Sequence, residues 1–208
     1  KNWGGHAWND YTNGTKSDLV NKTVNEIAGY GIMQQTLGDK ITLNAGIRYE
    51  YNSVYGKEWV PQGGFTLHLL EGNVIRGLIT KGFRSPNIRE MYMWGAANSD
   101  LSPESMINYE VAIGQSFLSG DLFAELTAFL IDGKDMIYSV SVNGDNRPPF
   151  QNRNIGSFLN KGIEFETRYR IMSDLELNMN YSYLHMSNPI PGAPAHKLYG
   201  GVTYSPGR

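Results

Sequence analysis

The chain has 208 residues, among them 24 Gly, 13 Tyr and 8 Phe, and it carries a net charge of −2. Such a balanced charge argues against a nucleic-acid-binding module, which concentrates Lys and Arg on one face. The sequence contains no Cys, which excludes disulfide frameworks, thiolate metal sites and Cys nucleophiles. No apolar run approaches the ~18–20 residues of a membrane-spanning helix, and the composition favours strands and turns.

The clearest early strand lies at residues 40–52, KITLNAGIRYEYN. Its odd positions are apolar or aromatic, whereas its even positions are polar or Gly. Alternation with a period of two predicts a strand with two chemically different faces. The same pattern returns at 106–114, 161–170 and 174–182. We therefore expect an all-β protein.

The connections between these strands alternate in length along the chain. Short turns of Gly, Ser and Asp occur at 38–39, 119–120 and 173–174, and longer polar connections separate them. This alternation predicts an up-and-down antiparallel meander with all long connections at one end. The long connections expected are 53–59, 84–105, 139–160 and 187–195. About nine strands are expected, at roughly 25–37, 40–52, 59–70, 74–83, 106–118, 121–138, 152–172, 174–186 and 196–205.

These strands are long for a soluble β protein. Thirteen residues reach about 43 Å, whereas strands of soluble proteins average ~5–6 residues and ~9–11 tilted residues already cross a bilayer. The polar face of 161–170 also carries Glu164, Glu166, Arg168 and Arg170, and burying these charges in a dry core would be costly. A transmembrane β-barrel accommodates both faces, with the apolar side in lipid and the charged side in a wet lumen.

Tyrosines stand near the expected strand ends, where membrane barrels carry interfacial aromatic girdles. On this pattern alone, a soluble all-β domain with its tyrosines packed inside remains the alternative. The tyrosines concerned are Tyr49, Tyr51, Tyr181, Tyr183, Tyr199 and Tyr204.

Short motifs follow one another in a fixed order from residue 82 to residue 110. This series resembles the signature region of TonB-dependent outer-membrane receptors, and later motifs extend the resemblance over about residues 25–208. The motifs are FRSP at 83–86, REMY at 89–92, NSDLSPE at 98–104, NYE at 108–110, NKGIE at 160–164 and PGAPAHK at 191–197.

The resemblance implies a barrel of about 22 strands with an N-terminal plug in its lumen, in the outer membrane of a Gram-negative bacterium. It implies capture of a scarce nutrient, foremost an iron–siderophore complex, at extracellular loops, followed by import energised by TonB. The partners it implies are an iron chelate or similar small molecule, the TonB complex acting on the plug, outer-membrane lipid, and a colicin or phage.

No plug-like segment precedes Lys1, and the sequence stops in a turn at 205–208. We therefore expect a partial barrel. Residues 1–24 are expected to form an extracellular loop and the start of a strand, and residues 25–208 the barrel segment. The connection 84–105 is expected outside the cell, with the turns at 38–39 and 173–174 in the periplasm.

The connection 84–105 is also the expected ligand-contact segment, because Arg and aromatic side chains suit anionic or aromatic iron chelates. Proline fixes φ and short polar side chains bond nearby backbone, so loop architecture is the favoured role of the motifs at 84–86 and 98–104. The candidate ligand-binding residues are Arg84, Arg89, Glu90, Tyr92, Trp94, Asn98 and Asp100.

Other chemistries have weaker support in the sequence. No His lies between Pro86 and Asn98, which disfavours haem. Met91 and Met93 are two thioethers without a nearby His or Cys, which is a poor ligand set for a soft metal. The sequence shows no Ser-His-Asp arrangement, no cluster of metal ligands and no Gly-rich phosphate loop. We therefore expect neither an enzyme nor a bound metal or cofactor. The alternatives left open are a receptor for haem, another metal complex or cobalamin, a passive outer-membrane pore and, least favoured, a soluble β-rich binding domain.

Overall fold

A computed structural model describes residues 2–10, 14, 16–145, 147–189 and 192–206. They form a ten-stranded sheet in which neighbours in sequence are neighbours in space, and every pairing is antiparallel. Among the described residues, no helix is long and apolar enough to cross a membrane. The elements are β1 Asn2–Asp10, β2 Lys16–Leu37, β3 Ile41–Asn52, β4 Gly56–Leu67, β5 Asn73–Arg84, α1 Ile88–Tyr92, β6 Glu104–Phe117, β7 Leu122–Ser141, β8 Phe150–Met172, β9 Leu175–Met186 and β10 His196–Tyr204.

The predicted all-β meander is confirmed, and strands β2 to β10 correspond to the nine expected ones. Strand β1 is additional: residues 1–24, expected as a loop and strand start, contain β1 and the first part of β2. Lys1 and residues 11–13 and 15 of that segment lie outside the described residues. The sequence at 2–10, NWGGHAWND, has no regular alternation of apolar and polar residues, so it lacks the pattern that identifies the other strands.

Two of the expected long connections are shorter in the structure. The prediction of a connection at 53–59 was wrong, because residues 56 to 59 pair with residues 49 to 52 of β3, so that only 53–55 connect the strands. Similarly, only 142–149 separate β7 from β8. The turn between β2 and β3 is short because Gly38 adopts a φ of 60°, a conformation that glycine accepts at little cost.

The strand register separates apolar from polar side chains. In one row, paired residues across five strands are Ile113, Leu126, Phe165, Tyr181 and Leu198. Paired residues of one row point to the same face of a sheet, and adjacent rows point to opposite faces. We call the side that carries this row the apolar face. The row beside it belongs to the polar face and contains Ala112, Thr127, Glu164, Ser182 and Lys197.

Exposure is inverted relative to a water-soluble protein. On the apolar face Ile113 is 54% exposed and Leu198 is 73% exposed, whereas on the polar face Glu50 is 7% exposed and Asn52 is 1% exposed. Soluble proteins bury Ile and Leu and keep Glu outside. The sheet therefore turns its apolar side chains outward, as a lipid-facing wall does.

Ion pairs hold the charges of the polar face. Arg76 of β5 reaches across β6 to Glu125 of β7, with 2.5 Å between Nη2 and Oε1, and Arg48 pairs with Glu50 on β3. One expectation needs correction here: Tyr199 pairs with Asn180 and lies on the polar face, not in an aromatic girdle. Its neighbours in β10 continue the alternation, which places every odd residue of that strand on the polar side.

Glycine and aromatic side chains oppose one another across strands. In three directly paired couples, a Cβ on the glycine would come within 2.6 Å of the partner's ring, so the ring occupies the space of the missing side chain. Such coverage of a strand glycine by an aromatic ring stabilises the sheet. The couples are Phe65 with Gly77, Phe129 with Gly162, and Phe158 with Gly133.

The apolar face has the height of a bilayer core. On β8 the apolar band begins directly after Lys161 and continues through Ile163 and Phe165 to Ile171, which is ten residues. Ten residues cover about 33 Å of strand, which corresponds to about 25 Å of membrane at the usual tilt of these strands. Residues beyond this band toward the connection 85–103 lie outside the membrane-spanning part of the sheet.

We predict that a charge introduced on the apolar face destabilises the protein far more than one introduced on the polar face. Leu126 and Thr127 are adjacent in β7 and point to opposite faces. In the intact protein folded into a bilayer, Leu126→Arg should lower the free energy of unfolding by about 2–4 kcal/mol, and Thr127→Arg should leave it nearly unchanged. Denaturant titration followed by tryptophan fluorescence measures both, and equal losses would contradict the assigned faces.

Candidate ligand-contact site

The connection between β5 and β6, residues 85–103, is the longest of the described connections. It begins with the short helix α1, whose first turn is fixed by a capping box. The Asn87 side chain accepts a hydrogen bond from the Glu90 N–H (3.0 Å), and the Glu90 carboxylate accepts one from the Asn87 N–H (2.8 Å). This reciprocal pair satisfies donors that a helix start leaves free.

An ion triad closes the base of this connection. Arg84 ends β5 and Glu104 begins β6, and the two are paired in the ladder. The Arg84 guanidinium donates to both oxygens of Glu104 (2.5 and 2.7 Å) and to both oxygens of Glu90 (3.1 Å each). Bidentate Arg–carboxylate pairs are the strong kind of ion pair. Arg84 therefore joins the two strand ends and α1.

Glu104 is 5% exposed and lies at the loop end of β6, outside the membrane-spanning band. Burial alone would raise the pKa of its carboxyl, but the hydrogen bonds from Arg84 and from the Ile137 N–H hold the pKa below its usual value. The carboxylate therefore stays charged and also anchors β7. In the 53–55 connection, burial raises the pKa of Tyr55, whose hydroxyl donates to Glu50 (2.9 Å).

Three asparagines tie the connection to β8. The Asn98 amide donates to the Asn152 carbonyl (2.8 Å), and the Asn152 amide donates to the Glu90 carbonyl (3.0 Å). The Asn154 side chain accepts from the Ser102 N–H (2.9 Å) and donates to the Ser102 carbonyl (2.8 Å). The side-chain amides thus bond backbone groups of the connection, as a neighbouring strand would, and they hold its second half against β8.

The inner side of α1 is packed. Met91 is 4% exposed and Val24 of β2 is 3% exposed, and the Lys22 ammonium stands 5.2 Å from the centre of the Tyr92 ring. The cavity that remains beside them has a volume of only about 40 Å³. Ligand pockets for small molecules are usually ~300–1,000 Å³, so a chelate cannot enter here.

The exposed side of the connection presents a stacked pair. The Arg89 guanidinium lies 4.6 Å from the centre of the Trp94 ring, within the range of a cation–π contact. Trp94 is 52% exposed and has a φ of 63°, a conformation that a bulky residue adopts only when its surroundings impose it. Asp100 of the same connection is also exposed.

The seven candidate residues from the sequence thus separate into two groups. Arg84, Glu90 and Asn98 are occupied by hydrogen bonds within the protein, in agreement with the architectural role favoured for the motifs at 84–86 and 98–104. The residues available to a ligand are Arg89, Trp94 and Asp100, with Tyr92 half-buried.

Sequence reasoning did not identify Asn152 and Asn154 as part of this region. They lie 54 and 52 residues from their partners Asn98 and Ser102, and no local pattern marks that contact. Among the described residues, no group of three or more His, Asp or Glu is placed to hold a metal ion.

A meander with an apolar outer face, a charged inner face and its longest connections at one end defines an outer-membrane β-barrel wall. A family model described as "TonB dependent receptor-like, beta-barrel" matches residues 2–208. The chain belongs to this family, which resides in the outer membrane of Gram-negative bacteria and consists of receptors, not enzymes.

Among known proteins, the chain is similar to the iron-regulated outer membrane virulence protein of Vibrio cholerae, with 29% identity over 88% of the chain and 32% of that protein. It spans about a third of the length of the curated relatives it matches. Two solved structures share the fold. The siderophore receptor PirA of Acinetobacter baumannii has a TM-score of 0.78 at 19% identity, covering 91% of this chain and 32% of PirA. The ferric enterobactin receptor PfeA of Pseudomonas aeruginosa, as an R480A mutant in complex with enterobactin, has a TM-score of 0.74 at 19% identity, covering 88% and 31%.

We predict that Asn154 is needed to hold the second half of the connection in place. Asn154→Ala removes three side-chain hydrogen bonds, two to Ser102 and one to the Asp135 carbonyl. Since each such bond contributes ~1 kcal/mol net, the amides of residues 98–102 should exchange hydrogen at least about tenfold faster. Asn143, an exposed asparagine of the 142–149 connection, provides the control variant Asn143→Ala, which should leave this exchange unchanged. An unaltered rate in Asn154→Ala would show that the connection does not depend on these bonds.

Proposed function

We propose that the intact protein is a TonB-dependent receptor that binds and imports a ferric siderophore. The observation that carries this proposal is the membership in the receptor family together with the exposed Arg89–Trp94 pair. Two of the similar structures are named as siderophore or ferric enterobactin receptors, and the V. cholerae relative is named as iron-regulated.

The chemistry of the exposed pair fits this ligand class. Ferric siderophores are anionic or aromatic chelates, and a guanidinium stacked on an indole offers a positive charge and a flat apolar surface at one place. The pair stands on a connection whose base is fixed by the Arg84 triad. A fixed base reduces the entropy lost when the ligand binds.

In this proposal the connections 85–103, 142–149 and 187–195 face the outside of the cell, and the turns at the opposite end face the periplasm. Import then requires a plug domain and TonB, which the family supplies in its complete members. The charged polar face forms the wall of the passage. A colicin or phage would attach at the same exposed connections.

Haem is the main competing ligand. The segment 87–97 contains no His, whereas iron–porphyrin recognition commonly uses His as an axial ligand. We therefore place haem, and likewise cobalamin, behind a siderophore. A passive pore would require none of these contacts, and growth experiments separate it from a receptor.

We predict that Trp94 contributes to capture of the ferric chelate. In a strain lacking the receptor, the intact wild-type gene should restore growth on a ferric siderophore as the sole iron source, but not on haem. Trp94→Ala should weaken binding of that chelate to whole cells by about tenfold, because it removes the stacking surface and frees Arg89.

The matched control is Leu118→Ala, which removes an exposed side chain at the opposite end of the sheet and should bind like the wild type. Growth on haem alone would contradict the assigned ligand. Growth on every iron source regardless of TonB would contradict a receptor and indicate a pore.

A further inference from the structure

The apolar face contains a groove of about 590 Å³. It crosses strands β3 to β7, in the part of the sheet that faces hydrocarbon. The groove exists because Gly63 has no side chain and Ala128 has a short one, while the Phe65 ring lies over Gly77. Its edge on the side of the long connections is formed by Tyr109 and Leu130, which are paired across β6 and β7.

A positive charge stands directly beside this edge. Leu130 pairs with Lys161 of β8, and Lys161 pairs with His185 of β9, so the three side chains follow one another in one row of the apolar face. Cross-strand neighbours in a row have Cβ atoms ~5 Å apart. Lys161 and His185 are both exposed, and they mark the boundary between the apolar band and the loop end of the sheet.

Two other lysines near the loop end of the sheet have carboxylate partners. Lys134 stands 3.6 Å from Asp132, its neighbour on the same face, and Lys81 stands 3.1 Å from Glu58. Among the residues that the structure describes, Lys161 takes part in no ion pair. It is thus an unmatched cation at the end of an apolar groove, at the depth where lipid headgroups begin.

We propose that this groove and its rim bind one anionic lipid of the membrane. An acyl chain lies in the groove, the lipid phosphate contacts the Lys161 ammonium, and the His185 ring donates a hydrogen bond to a phosphate oxygen. A lysine at this depth extends its charge toward the headgroups while its stem remains in apolar surroundings. The groove suits an acyl chain and the unpaired Lys161 ammonium suits a phosphate. Their adjacency distinguishes this place from the rest of the lipid-facing wall.

Lys57 provides an internal comparison. It is also exposed and paired on the apolar face, opposite Tyr51. It lies six residues from Gly63 along β4, which corresponds to about 20 Å. The two lysines therefore have the same charge and face, but only Lys161 adjoins the groove.

The test is native mass spectrometry of the intact protein in detergent, with phosphatidylglycerol and phosphatidylcholine of identical acyl chains as probes. The wild type should retain one phosphatidylglycerol in preference to phosphatidylcholine, and Lys161→Gln should reduce that preference by about fivefold, the usual effect of one Lys near anionic lipid. Lys57→Gln is the control and should retain phosphatidylglycerol like the wild type.

A second variant tests the groove itself. A Cβ at Gly63 would have only ordinary contacts, 3.9 Å to Ile79 and to the Asn44 carbonyl, so Gly63→Leu can fold and fill the groove. It should reduce retention of both lipids, whereas Lys161→Gln should affect only the anionic one. Folding of each variant is checked by its heat-dependent migration on gels. Equal retention of both lipids by the wild type, or equal losses in Lys57→Gln and Lys161→Gln, would overturn the proposal.

Discussion

The membrane core offers no hydrogen-bond partner to a polypeptide backbone, so every backbone N–H and C=O there must be paired by a neighbouring strand. Strands β2 to β9 meet this constraint by pairing on each side with their neighbours in sequence. Extended pairing then forces alternate side chains to opposite faces, which leaves Ile113 and Leu198 exposed outward while Arg76 and Glu125 pair on the inner side. Where the β4–β5 ladder stops at Gln62, an ion pair between Lys81 and Glu58 joins the two strands instead.

At the loop end the same requirement is met by side chains. The connection 85–103 belongs to no strand ladder, but β8 bonds to parts of its backbone. The Asn152 N–H donates to the Ala96 carbonyl, the Asn152 side chain donates to the Glu90 carbonyl, and the Asn154 side chain bonds both the N–H and the carbonyl of Ser102. The Arg84 triad joins its two ends. This arrangement explains how an exposed Arg89–Trp94 pair keeps a defined position, and it shows that Arg84, Glu90 and Asn98 are engaged in contacts within the protein.

The sequence predicts the parts of this fold that depend on local alternation. In β3 the period of two is unbroken, and the two faces follow directly from it. Residues 2–10 and 16–24 show no regular alternation of apolar and polar residues in the sequence, so no period marks them as strands. The cover of Gly162 by Phe129 and the bond between Asn98 and Asn152 depend on register between distant segments, which a single sequence does not encode in any local pattern.

The central claim is that odd residues of β8 face lipid and even residues face water. A nitroxide placed in turn at each of residues 162–170 of the intact protein in bilayers tests this directly, by comparing collisions with oxygen, which concentrates in lipid, and with a water-soluble nickel chelate. Labels at residues such as Ile163 and Phe165 should collide mainly with oxygen, and labels at Glu164 and Glu166 mainly with the chelate. A profile without a period of two, or one with the faces reversed, would contradict the account.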